Sequence, residues 1–222
     1  MSNISRWGAR AFAAVVSLAL VPALTPASSA SADQLRYHDA THDVVKIDLA
    51  DDGSAKPATD PGATNGDIKD VFVHYRTGRL VIRANYVDLR PRKDTLLTFT
   101  GEIKTNEKRR WLYQVETSPG KYAGHDELIS YRTYRETCEI GHMFDYRENF
   151  TRVVVPLSCL SNPRWVKVSV GAATVTLDKK ALKKFIESGT GVLPHGVLVV
   201  RADDAGRTDV ADLLRFTPRV YR

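Results

Sequence analysis

From residue 68 to residue 170 the chain runs in short stretches of alternating side chains separated by turn-forming residues. Leu80, Ile82, Ala84 and Tyr86 share one set of alternate positions, and Leu97, Phe99, Gly101 and Ile103 share another. A period of two puts successive side chains on opposite faces of a pleated strand. The pattern predicts strands over 68–76, 79–89, 95–104, 109–116, 127–135, 142–147, 150–157 and 164–170. An earlier strand is predicted at 44–49 and a last one at 196–201. Residues 51–66, rich in Asp, Gly, Pro and Ala, read as a loop. Many short strands with turns between them predict an all-β, antiparallel β-sandwich. One short surface helix is expected over 178–187. There Ala181, Leu182, Phe185 and Ile186 fall on one face, Lys179, Lys180, Lys183 and Lys184 on the other, Asp178 caps the start, and Gly189 and Gly191 follow.

The amino terminus follows a different rule. Arg6 and Arg10 precede an almost wholly apolar run from Ala11 to Leu24, and small residues then lead to Ala30-Ser31-Ala32. A positive start, a short apolar stretch and an A-x-A end form a cleavable export signal. The apolar run is shorter than the ~20 residues a spanning helix needs. Residues 1–32 are therefore expected to be removed, leaving 33–222 as one secreted domain with no transmembrane segment. That domain is long enough to bury a real core. Of 32 basic and 26 acidic residues in the chain, the signal takes two basic ones, so the mature excess is four. An excess so mild and scattered gives no case for nucleic acid, but it favours anionic surroundings such as cell-envelope polymers.

Two hairpins can be tested by arithmetic. A two-residue turn at Thr77-Gly78 places Val71, Val73 and Tyr75 opposite Ala84, Ile82 and Leu80 on one face. Phe72–Arg83, His74–Val81 and Asp70–Asn85 then pair on the other, more exposed face. A turn at Glu148-Asn149 sets Ile140, His142, Phe144 and Tyr146 opposite Leu157, Val155, Val153 and Thr151, with Asp145 meeting Arg152. The same register puts Cys138 opposite Cys159. Glu-Asn is not a favoured two-residue turn, and a longer loop would shift this register. The chain has only these two cysteines, and in an exported protein they are expected to form a structural disulfide.

The candidate chemistry is thin. His38 and His42 have zinc-motif spacing, but the stretch leads straight into a β segment, without the helix and third ligand that such a site needs. Asp60, Asn65, Asp67 and Asp70 offer oxygen ligands within eleven residues, a candidate calcium site that Asp203 and Asp204 could complete. Trp111, Tyr131, Arg132 and Tyr134 are candidate ligand-binding residues, with Tyr134 the ring expected to be most exposed. Trp111 shares a strand face with Tyr113 and Val115, which also suits core packing. His125-Asp126-Glu127 lacks an identifiable nucleophile partner, no G-x-S-x-G element occurs, and no catalytic residue is assigned. His142 falls on the apolar hairpin face and reads as a hydrogen-bonded core histidine.

Gly66-Asp67-Ile68, Cys138, Asp145-Tyr146-Arg147, the strand from Val153 to Pro156, Cys159-Leu160 and Pro163-Arg164-Trp165-Val166 form a recurrent pattern. Over Asp67 to Val170 the chain resembles a group of secreted, uncharacterised actinobacterial β-sandwich proteins. That group in turn resembles carbohydrate-binding and DOMON-type domains. The resemblance implies a jelly-roll or carbohydrate-binding-module-like sandwich but no catalytic residues, and the 178–195 segment departs from it. The expected function is non-catalytic binding of extracellular carbohydrate or another envelope ligand, with calcium as the candidate cofactor. A secreted hydrolase and a structural or protein-interaction module of the cell surface are the alternatives.

Overall fold

The computed structural model describes residues 33–49, 55–117, 125–177, 180, 198–205 and 215–222. The predicted export signal and nearly all of the predicted 178–187 helix lie outside them. The described chain begins with β1 (Gln34–His38), β2 (Val45–Leu49) and β3 (Ala55–Thr59). Next come β4 (Ile68–Arg76), β5 (Arg79–Tyr86), β6 (Thr95–Thr105) and β7 (Arg110–Thr117). After these stand β8 (His125–Ser130), β9 (Arg135–Glu136), β10 (Gly141–Asp145) and β11 (Phe150–Pro156). A 3₁₀ turn (Leu157–Leu160) precedes β12 (Trp165–Val168), β13 (Gly171–Leu177), β14 (Leu198–Asp204) and β15 (Val220–Tyr221).

Two antiparallel sheets result, so the all-β sandwich expectation holds. One has the order β1-β4-β5-β11-β10, and the other runs β3-β2-β14-β13-β6-β7-β8-β9, with β12 on β6 and β15 on β12. Val71, Val73, Tyr75, Leu80, Ile82, Val153 and Val155 from the first sheet form one buried cluster with Phe99, Ile103, Trp111, Tyr113, Val115, Val166 and Val168 from the second. Each buried Val, Leu, Ile or Phe in that cluster contributes about 1.5–3 kcal/mol of transfer free energy. Among the described residues no helix is long and apolar enough to cross a membrane.

The β4–β5 hairpin has the predicted register from Asp70↔Asn85 to Arg76↔Arg79, and slips once at a bulge between Ile68 and Asp70. Gly78 takes φ +82°, which the turn requires and a glycine adopts without Cβ strain. The β10–β11 register differs from the prediction by two. His142 faces Val153, Phe144 faces Thr151, and Met143, not Asp145, faces Arg152. The loop is the four residues Tyr146–Asn149. Asp145 Oδ1 accepts the backbone N–H groups of Arg147 and Glu148 at 3.0 and 2.9 Å, and Asn149 adopts φ +53°. A side-chain acceptor at the loop start and an asparagine in the left-handed region favour this longer turn. Because the shift is even, the faces are preserved and His142 and Phe144 still point inward.

Cys138 and Cys159 are disulfide-bonded, with Cα atoms 5.7 Å apart. They are not cross-strand partners, however. Cys138 lies before β10, and Cys159 lies in the 3₁₀ turn after β11. Other corrections concern strands. Residues 55–59, predicted as loop, are β3; the 127–135 strand breaks into β8 and β9 around the turn at 131–134; β1, β13 and β15 were not predicted at all.

Candidate functional site

The four candidate ligand-binding residues do not converge. Trp111 is 4% exposed and belongs to the core. Tyr131 is half-buried; its hydroxyl donates to Glu102 Oε1 at 2.8 Å, and the Arg110 guanidinium lies 5.0 Å from its ring centre. Arg110 also binds the buried Glu102 through Nε and Nη2. Burial and the Glu102 hydrogen bond raise the Tyr131 hydroxyl pKa. Only Arg132 and Tyr134 remain at the surface, in the β8–β9 turn, where Tyr134 is 79% exposed.

The candidate calcium ligands also disperse. Asp60 Oδ2 accepts from Arg201 Nε at 2.8 Å, and Asn65 bonds the Arg90 backbone. Asp70 is held by Arg36 Nη2 at 3.3 Å and His38 Nδ1 at 2.5 Å. His38 therefore sits on a strand beside a carboxylate, and His42 lies in a turn at φ +69°, so the pair does not share a helical face. Of the predicted four Asp67 and Asp70 are buried, and only Asp67 joins other carboxylates. It meets Asp203, on the inward-facing side of β14, and Asp43, which sequence reasoning did not select. Asp203 is 1% exposed, and burial pushes its carboxyl up to about 8. The Ile68 N–H opposes that rise, and the charges of Asp39, Asp43 and Asp67 add to it. Burial likewise raises Asp67, against the N–H of His42.

His142 Nδ1 is 2.8 Å from Asp126 Oδ2, in line with a hydrogen-bonded core histidine.

A separate concentration of charge lies on the outer face of the five-stranded sheet. Ladder pairing aligns Arg36, Phe72, Arg83, Arg152 and Met143 in one row across all five strands. Arg76 and Arg79 face one another at the hairpin end. A groove of about 540 Å³ is lined by Arg76, Arg79, Arg83 and Arg152 together with Phe72, His74, Val81, Asn85 and Val154.

None of these four arginines meets a carboxylate among the described residues. Arg83 Nε donates to Asn85 Oδ1 at 2.9 Å, and its guanidinium lies 3.9 Å from the Phe150 ring centre. Arg76 Nη2 lies 3.3 Å from His74 Nδ1. Arg152 Nη2 touches Met143 Sδ at 3.9 Å, while its buried Nε has no partner. Like charges directly opposite across a ladder are destabilising, by up to ~1 kcal/mol per pair. Arg76↔Arg79 and Arg83↔Arg152 are two such pairs in one groove. A guanidinium already stacks on each nearby ring, Arg36 at 4.8 Å over Phe72 and Arg83 at 3.9 Å over Phe150. What the groove presents is planar guanidinium donors, the geometry that binds carboxylate, sulfate and phosphate oxygens in pairs.

Half of this site was visible in the sequence, since the Thr77-Gly78 register already placed Phe72, His74 and Arg83 on one outer face. The missing signal was the β5–β11 pairing, which brings in Arg152 from 69 positions further along the chain. Comparison of the chain with protein-family models, with curated proteins and with solved structures gives no match.

Proposed function

We propose that this is an exported, non-catalytic binding protein that holds an anionic polymer, a carboxylated, sulfated or phosphorylated glycan of the cell envelope, along the open face of its five-stranded sheet. The observation that supports this reading is a single groove holding four guanidinium groups and, among the described residues, no carboxylate. Repulsion between them is relieved when an anion enters. A binding role is favoured over hydrolysis because the perturbed carboxylates Asp67 and Asp203 are 0% and 1% exposed, which leaves no access for a glycan. The disulfide and the amino-terminal pattern support an oxidising, extracytoplasmic location.

The test is calorimetric titration with a sulfated polysaccharide, a polyuronate and a teichoic acid, with neutral dextran as control. Binding to at least one anionic polymer is expected, weakening as salt is added because the contacts are charged. Charge-assisted hydrogen bonds contribute about 1.5–3 kcal/mol each. The double variant Arg83→Ala/Arg152→Ala should therefore bind at least a hundredfold more weakly. Unchanged binding in that variant would overturn the assignment. So would binding to dextran that is lost in Tyr134→Ala, an outcome that would favour the exposed ring instead.

A further inference from the structure

We propose that Asp43, Asp67 and Asp203 form a binding site for one divalent cation of the calcium type, separate from the arginine groove. One carboxylate oxygen from each lies within 4.8 Å of the others. Oxygens bound to a calcium ion at 2.3–2.6 Å stand at most about 5 Å apart, on opposite sides of the ion, so a single cation can bridge this set.

The two innermost carboxylates are already aimed. Asp67 Oδ2 accepts the His42 N–H at 2.9 Å, and Asp203 Oδ2 accepts the Ile68 N–H at 2.6 Å. Each backbone bond fixes one oxygen and leaves the other, Oδ1, buried without a hydrogen-bond partner among the described residues. An unpartnered buried carboxylate oxygen costs free energy that an isolated fold has no reason to accept. Two of them beside each other, in residues 0% and 1% exposed, form an arrangement that one shared cation satisfies. Among the described residues no lysine or arginine supplies it: the hydrogen bonds to Asp67 and Asp203 there come from backbone N–H groups.

The donor set selects the ion. Three hard oxygens with neither thiolate nor imidazole fit calcium or magnesium and do not fit zinc or copper. Calcium tolerates an irregular oxygen cage, whereas magnesium demands a near-octahedral one and keeps several waters, for which an enclosed site has less space. The ligands come from the segment ahead of β2, the link into β4 and the end of β14. Bound cation would therefore fasten a strand of the ten-stranded sheet to the start of a central strand of the other. The nearby Asp39 adds negative charge on the same side.

The experiment uses the purified protein after chelator treatment and dialysis, titrated with calcium chloride and separately with magnesium chloride by calorimetry. Melting is followed in parallel. One calcium ion per chain is expected, with weaker binding of magnesium. At a hundredfold excess over Kd the melting temperature should rise by about 5–10 °C. Asp203→Asn should abolish the calcium response. Because that variant alters a buried group, Asp43→Asn, at a half-buried position, serves as the second test, and Asp60→Asn, whose carboxylate belongs to Arg201, as the control that keeps full response. Absence of calcium binding and of any melting shift in the wild-type chain would overturn the proposal. Binding that persists undiminished in both Asp43→Asn and Asp203→Asn would overturn it equally.

Discussion

Replacing Gly101 by alanine adds one methyl group, and it should be among the most damaging single changes in this protein. Gly101 sits on β6 where that strand changes partner, from β13 at Thr100↔Gly171 to β12 at Ile103↔Val168. The linking residue Ser169 folds over the glycine. Its N–H donates to Glu102 O, its Oγ accepts from Glu102 N–H, and its carbonyl accepts the Tyr113 hydroxyl, all at 2.9 Å. A Cβ on Gly101 would lie 2.0 Å from Ser169 O and 2.5 Å from Tyr113 Oη, so the Ser169 carbonyl must retreat by about 1.4 Å to reach ordinary contact at 3.4 Å. The obstacle is backbone held on both sides, so it cannot swing away. Overpacking of this kind costs about 1–3 kcal/mol. Separating the Tyr113 hydroxyl from Ser169 leaves a buried polar group unsatisfied, for about 1–3 kcal/mol more. A total near 4 kcal/mol is a large part of the 5–15 kcal/mol typical of a folded domain. It corresponds to a fall in melting temperature of roughly 8–16 °C for a domain of this size. Urea and thermal unfolding followed by circular dichroism measure both. Gly78→Ala is the internal comparison: no atom lies within 4 Å of its added Cβ, so only the strain of φ +82° remains, about 1 kcal/mol. If Gly101→Ala lost less than Gly78→Ala, the packing of Ser169 on β6 would be refuted.

Further expectations concern covalent, ionic and acid–base features. Replacing both cysteines by serine should lower stability by about 3 kcal/mol, since the bridge closes a loop with a sequence separation of 21; matched urea curves for oxidised and variant protein check this. Glu102→Gln should cost about 1–3 kcal/mol, because Arg110 loses the buried carboxylate that holds it, while Tyr131 keeps an acceptor. Breaking the exposed Arg92–Asp94 pair should leave the unfolding midpoint unchanged. In cation-free protein, Asp203 should make stability fall as pH rises. Its folded pKa, about 8, lies above the unfolded value near 4, so the folded state holds the extra proton. The contribution is complete below about pH 4 and is lost as the pH passes through about 8, with Asp39, Asp43 and Asp67 facing the same group. Unfolding midpoints measured from pH 4 to 8 in chelator read this slope directly, and Asp203→Asn should flatten it.

Alternation in the chain determined a good deal unaided. The β4–β5 hairpin was legible to the residue, because Thr77-Gly78 fixes a two-residue turn and only one register keeps Val71, Val73 and Tyr75 with Leu80, Ile82 and Ala84. The partner of each cysteine followed from there being two. Weakly patterned strands were not legible. Edge strand β3 contains Pro57, which a sheet edge tolerates and a sequence reading takes for loop. Strand β13, small and unpatterned at its start, forms because it lies between β6 and β14.

Tertiary structure alone decided the two candidate sites. Arg152 joins Arg83 only when β11 pairs with β5, and Asp203 reaches Ile68 across 135 residues of sequence. The β10–β11 loop shows the same limit on a smaller scale, since one Asp145 carboxylate shifted its register by two. A strand's faces are a property of its own side chains, set by the two-residue pleat. Which strand lies beside it is settled by burial and hydrogen bonding summed over the whole chain, and on that choice depend the arginine row and the carboxylate cluster.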